Sequence, residues 1–200
     1  MKEIINRIVE KEWEQFQLVN NEGGRCSCQE DWAQFRIMRS SQFLAWPDAV
    51  LESYLQDLED AEFTGRNLVF TKYAFMMAHT NPRGYEEVKH VLPVISDEMK
   101  LVIDEVVKIQ VRWAEEFQER CPKVSGKGRP IHEGEERFGQ TSVETYQRGE
   151  LYSYGEKTQL LYAEFVFEAE KQGKNLTYEV RNNMAKMYGY ESVDALENCR

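Results

Sequence analysis

Long apolar runs are missing from this 200-residue chain. The longest is Ala74-Phe75-Met76-Met77-Ala78, whereas a membrane-spanning helix needs about 20 such residues. Basic charge is also scarce: 25 lysines and arginines against 35 acids leave a net charge of −10. That sign denies the chain the positive field that nucleic acid or an anionic membrane surface requires, so neither partner is expected. The first residues, Met1-Lys2-Glu3-Ile4-Ile5-Asn6-Arg7, turn polar too early for a signal-peptide core. The expectation is a soluble, cytoplasmic protein.

Cysteine and histidine are equally sparse. The four cysteines, Cys26, Cys28, Cys121 and Cys199, contain no Cys-x-x-Cys pair, and no histidine lies near Cys26 or Cys28. Usual zinc spacings are therefore absent, and His79, His90 and His132 are scattered; no metal and no cofactor is expected. Cys26 and Cys28 beside Arg25 read either as a reactive pair, whose pKa the arginine would lower, or as two idle loop thiols. Such cysteine usage fits a reducing compartment.

What the chain does have is a core. Four tryptophans, ten tyrosines and ten phenylalanines, with 42% hydrophobic residues overall, exclude disorder. Two hundred residues suit one ordinary domain that buries about 70% of the unfolded surface.

Apolar residues recur every three or four positions throughout, the period of helices, so the fold class is all-α. Ile5, Ile8, Val9, Trp13 and Phe16 form the first stripe. A shorter helix with Phe35, Met38 and Phe43 is capped by Asp31. Pro47 suits a first helical position ahead of Val50, Leu51, Tyr54, Leu55 and Leu58, a run that Gly65 ends. Asn67 caps a helix with Phe70, Tyr73, Ala74 and Met77, and a short amphipathic piece covers 85–92. Ser96 then starts a long helix with Met99, Val102, Val106, Ile109, Trp113 and Phe117. After a glycine-rich loop over 125–140, Thr141-Ser142-Val143-Glu144 has capping-box spacing. Leu151, Leu161, Tyr162 and Phe165 continue to Gly173, and Asn175 caps the last long helix, with one further turn over 192–198.

The halves repeat this order. A shift of 101 residues sets Ile8 on Ile109, Lys11 on Arg112 and Phe16-Gln17 on Phe117-Gln118. A shift of 108 sets Tyr54 on Tyr162 and Gly65-Arg66-Asn67-Leu68 on Gly173-Lys174-Asn175-Leu176. The expected architecture is about eight helices in two pseudo-symmetric four-helix repeats, roughly 1–81 and 96–189. Residues 82–95 link them, and all belong to one domain.

The unusual chemistry lies in the loops after the first helix of each repeat. Residues 20–29 include Gly23-Gly24-Arg25, and residues 123–132 include Gly126-Lys127-Gly128-Arg129. Glycines let backbone N–H groups approach a ligand, and an arginine fork suits carboxylate or phosphate. From 120 to 132 there are four lysines and arginines and no acid. The spacing is not that of a nucleotide-binding loop, which requires a preceding strand. Polar residues on the neighbouring helices, Arg39 in one half and Tyr146 and Arg148 in the other, complete the set. Asn21, Glu22, Arg25, Gln29, Arg39, Arg129, Tyr146 and Arg148 are thus expected around one cleft between the repeats. They would hold a small anion, a phosphate or a carboxylate metabolite. No nucleophile–base or acid–base spacing identifies a reaction. An enzyme using the same cleft and a protein-interaction module are the alternatives, and homo-oligomerisation cannot be read from the chain.

Strings of unlike polar residues also carry a resemblance. Asn20-Asn21-Glu22-Gly23-Gly24-Arg25 with Ser27-Cys28-Gln29, Arg39-Ser40-Ser41-Gln42-Phe43, Gly128-Arg129-Pro130-Ile131 and Glu144-Thr145-Tyr146-x-Arg148-Gly149-Glu150-Leu151 are similar to a bacterial family filed as domain of unknown function number 4125. The resemblance runs over residues 4–195, with Cys26 standing where a small residue such as alanine is expected. It implies a bacterial source and a compact single domain. It implies no particular reaction, cofactor or catalytic residue.

Overall fold

The computed structural model describes residues 2–20, 24–126, 128–136 and 140–199. Their helices are α1 (Lys2–Gln17), α2 (Trp32–Phe43), α3 (Asp48–Thr64), α4 (Leu68–Thr80), α5 (Pro82–Val88), α6 (Asp97–Arg120), α7 (Pro122–Ser125), α8 (Val143–Ser153), α9 (Glu156–Lys171), α10 (Leu176–Met187) and α11 (Val193–Cys199). Single 3-10 turns cover Ser27–Gln29 and Lys89–Val91. No strand occurs among the described residues beyond a one-residue bridge at Gln140. The fold is all-α, as the apolar period requires, with eleven α-helices rather than about eight. The additional ones, α5, α7 and α11, are four to seven residues long; α5 and α11 overlap the short piece expected over 85–92 and the further turn over 192–198, and α7 is too short to show a periodic stripe.

Local chemistry sets most boundaries. Asp31, Asn67, Ser96 and Asn175 each accept a hydrogen bond from the backbone N–H three residues ahead, satisfying a donor that the helix itself leaves free. Pro47 is the residue before α3 rather than its first. The cap of α8 is Ser142, not Thr141, because the Ser142 hydroxyl reaches Thr145 N. After α3 and α9 the chain turns through Gly65 (φ 70°) and Gly173 (φ 67°), backbone that a side chain would strain.

Within the first half α1 packs on α2, α3 and α4; within the second, α6 packs on α8, α9 and α10. The halves meet where α3 lies on α9, α4 on α8 and α2 on α10. Contacts recur in step. Lys11 on α1 pairs with Glu62 on α3, and Arg112 on α6 pairs with Glu170 on α9. Arg66 N donates to Ala61 O at 2.8 Å, and Lys174 N donates to Ala169 O at 2.9 Å. Trp46, Tyr54, Tyr154 and Tyr162 meet at the centre with ring centroids 4.8–6.3 Å apart.

Two expectations about the core change. Trp113 is buried, but Trp13 is only half-buried, beside Trp32 and Phe35. On α2, Met38 is exposed, and the inward face carries Arg39, Ser40 and Ser41 with Phe43. The periodic apolar reading fails there because α2 turns a charged side chain toward a charged partner on α1.

Candidate functional site

Arg39 organises the buried polar centre. Its Nε and Nη2 donate to Glu12 Oε2 and Oε1, both at 2.6 Å. Nη2 also lies 2.7 Å from Glu150 Oε1, and Nη1 donates to Gln42 Oε1 at 2.8 Å. Tyr54 OH donates to Glu12 Oε1 at 2.7 Å. Lys72 on α4 donates to Tyr146 OH at 3.1 Å and stands 3.9 Å from Glu150 Oε1. Glu12, Arg39, Lys72 and Glu150 are all buried, and their charges balance.

Electrostatics favour the charged forms of Arg39 and Glu150. Burial opposes the Arg39 charge, yet Glu12 and Glu150 outweigh it and hold the guanidinium well above its ordinary pKa. Burial likewise opposes the Glu150 carboxylate, but Arg39 and Lys72 hold its pKa below the usual value. Burial pushes the Tyr54 and Tyr154 hydroxyls up. These groups are committed to one another, as in a structural ion network, rather than poised to exchange protons at neutral pH.

Beside the cluster, α2, α6, α8, α9, α10 and the segment after α7 enclose a cavity of about 990 Å³. Arg39 and Gln42 form part of its wall, with Trp46, Trp113, Phe117, Tyr162 and Met184 as apolar lining. Arg129 and Arg181 also line it. The Arg129 guanidinium lies 4.8 Å from the Tyr146 ring centroid, and its Nη1 donates to Thr141 O at 3.2 Å. Among the described residues it has no carboxylate partner. Arg181 has neither a hydrogen bond nor an ion pair among them. Its pKa is lowered, first by burial and then by the like charge of Arg129. The acids that line the cavity, Glu115, Glu119 and Glu135, are exposed, and Glu115 lies 3.1 Å from His132 Nε2. A second cavity of about 680 Å³, between the α3–α4 turn and 91–96, has Arg66 against Asp57, Asp60 and Glu156. Of the two, only the first holds cations that lack acidic partners among the described residues, in a wall of mixed polar and apolar side chains.

Of the expected site residues, Arg39, Arg129 and Tyr146 line this cavity. Arg25, Gln29 and Arg148 do not. Arg25 donates to Gln17 Oε1 at 2.5 Å and to Gln29 O at 3.4 Å. The buried Gln29 side chain donates to Phe16 O and Val19 O at 2.8 and 3.0 Å, clasping its loop to the end of α1. Arg148 pairs with Asp104 and with Glu144, the latter at 3.5 Å. Asn21 and Glu22 lie outside the described residues. Cys26 and Cys28 are joined in a disulfide, while Cys121 and Cys199 are free. The pair is therefore neither a reactive dithiol nor two idle thiols in this structure.

Sequence reasoning missed Glu12, Lys72, Gln110 and Arg181. A signal existed for three of them. Glu12 interrupts the stripe Ile8–Phe16 one turn from each, and Lys72 stands between Val69 and Met76 on a buried face. Arg181 falls, at the 108-residue shift, on Tyr73; a charge replaces a packed ring. Gln110 is one polar residue among many and carried no mark.

Among the described residues no three His, Cys, Asp or Glu side chains gather closely enough to hold a metal ion. No described helix is long and apolar enough to cross a membrane. A family model described as a protein of unknown function (DUF4125) matches residues 2–198. No curated protein and no solved structure matches the chain.

Proposed function

The chain belongs to the DUF4125 family, and from there we propose that it binds a small anionic molecule, a phosphate or carboxylate metabolite, in the cavity of about 990 Å³. Arg181 carries this reading. It is a half-buried guanidinium with no partner among the described residues and with the exposed Arg129 as a like-charged neighbour. An unpaired charge away from water is costly. An anion between the two forks would offset their mutual repulsion and accept from each in a bidentate manner. The acids on the wall are exposed and screened by water, so they oppose such a ligand weakly. Binding is favoured over catalysis because the nearby carboxylates Glu12 and Glu150 are already engaged with Arg39.

We further read the two halves as an internal duplication, residues 1–81 and 96–189 within one domain. The recurring ion pair of first and third helices supports it, as do the recurring Gly-x-Asn turns and the exchange of packing partners between halves. A cytoplasmic bacterial setting remains part of the proposal, and the Cys26–Cys28 disulfide is the feature that stands against it.

Thermal melting with phosphate, sulfate and a panel of carboxylates tests the site in wild type, Arg129→Ala and Arg181→Ala. A ligand at one hundred times its dissociation constant should stabilise the wild type by about 2.7 kcal/mol. Both variants should lose that gain. Ala114→Trp, which fills the cavity without altering charge, should lose it too. Stabilisation that survives all three substitutions places the anion elsewhere and ends this reading.

A further inference from the structure

Cys26 and Cys28 are joined across a single intervening residue. A disulfide stabilises a fold mainly by restricting the unfolded chain, and that effect grows with the loop it closes. This bridge closes a very short loop and contributes little. The turn has other supports. Cys26 N donates to Gln29 Oε1 at 3.0 Å, Gln29 N donates to Cys26 O at 2.9 Å, and Gln17 Nε2 donates to Gln29 O at 2.9 Å. With the two bonds from the Gln29 amide to the end of α1, they fix the backbone on both sides of Cys28 whether the sulfurs are joined or apart. The bridge is open to solvent, since Cys28 is exposed and Cys26 half-buried. Arg25 is drawn back over the turn by its bonds to Gln17 Oε1 and Gln29 O, and a cation beside the bridge stabilises a departing thiolate. Exposed disulfides are the labile, regulatory or catalytic ones.

We propose that Cys26–Cys28 is the oxidised half of a reversible redox couple that exchanges with an external dithiol. One thiolate of the dithiol attacks the exposed Cys28 Sγ. The bond between the two cysteines breaks, and its electron pair leaves on Cys26, which then takes a proton from water. The second thiolate of the reagent attacks the reagent's own sulfur in the mixed disulfide and releases Cys28 as a thiolate, which is protonated in turn. The reagent ends as a disulfide, and two electrons and two protons have passed to the protein. None of residues 25–29 lines the anion cavity, so the two sites stand or fall separately. A couple of this kind also fits a reducing compartment, where protein disulfides are transient and catalytic or redox-sensing.

The probe is the dihydrolipoate–lipoate couple, applied to the folded wild-type chain. Alkylation and peptide mapping then separate Cys26 and Cys28 from the free thiols of Cys121 and Cys199. Dihydrolipoate should reduce the pair in the folded protein within about tenfold of its rate in urea, as expected for a bridge the fold does not shield. A given mixture of the two reagents should reach one oxidised fraction, whether the protein starts oxidised or reduced. Reduction should lower Tm by less than about 4 °C and leave the helical circular dichroism unchanged. Glutathione disulfide should label Cys28 in Cys26→Ser severalfold faster than Cys26 in Cys28→Ser. A pair that is reduced only after unfolding, or whose reduction costs helical signal, is structural and overturns the proposal. Thiols at 26 and 28 that stay free in excess lipoate overturn it as well. Faster labelling of Cys26 would overturn the assignment of Cys28 as the attacked sulfur, and the wild-type measurements need neither variant.

Discussion

The junction of α1, α2 and α4 is packed with rings, whereas that of α6, α8 and α10 borders a cavity. In the first, Trp13, Phe16, Phe35 and Tyr73 stand with neighbouring ring centroids 5.1–6.2 Å apart. At the shifts of 101 and 108 residues, Trp13 falls on Ala114, Phe16 on Phe117 and Tyr73 on Arg181. All three of those second-half residues line the cavity. At those positions an indole is matched by a methyl group and a phenol by a guanidinium, and a cavity lies where the other junction has packed rings.

The largest effect should come from the ion cluster on which both halves lean. Arg39→Met strands Glu12 and Glu150 as buried acids without their main cation. Chemical denaturation should show a loss of about 3–5 kcal/mol, the range for a buried pair deprived of one partner. A loss under about 1 kcal/mol would mean that water reaches the cluster and that the halves are not joined through it.

The packed and hollow junctions should then separate in a matched pair. Phe16→Ala empties a site walled by rings and should cost about 3–5 kcal/mol. Phe117→Ala should cost visibly less in the same denaturant series although that ring is equally buried, because the space it leaves joins an existing cavity instead of opening a sealed void. Equal losses would show that the second junction closes up in solution.

The smallest contrast concerns the two loops. The first is clasped by the neutral amide of Gln29, the second by the Glu136 carboxylate, which accepts from Ser142 Oγ, Thr145 Oγ1 and Gly134 N. Burial pushes that carboxyl up, but the hydrogen bonds outweigh it and hold its pKa at about 2, below the ordinary 4.5. A depressed folded-state pKa contributes stability that is complete above the ordinary value and is lost as pH falls toward about 2. Between those limits amide exchange should accelerate around the start of α8 and not in 26–29. Glu136→Gln should flatten this difference; an unchanged profile would assign the acid response to another group.

Much of this molecule was legible in the chain. Asp31, Asn67, Ser96 and Asn175 cap the helices they were expected to cap, since capping depends on a side chain and a backbone donor three residues away. Arg39, Arg129 and Tyr146, expected around one cleft as polar residues in unusual settings, line one cavity. Arg25 and Gln29 had the same sequence character as Arg129, yet they tie their loop to α1, because Phe16 and Val19 carbonyls lie within reach.

By itself the sequence determined what arises over a few residues: helix periods, caps, glycine turns, the shortage of positive charge and the echo between the halves. The tertiary structure alone decided which charges meet. Glu12, Arg39, Lys72 and Glu150 come from four different helices, and their pairing depends on how those helices cross. It also decided that, among the described residues, Arg181 stands beside Arg129 without an acid and Gln110 buries an unmatched oxygen. Such properties belong to distances between segments, which no local spacing encodes.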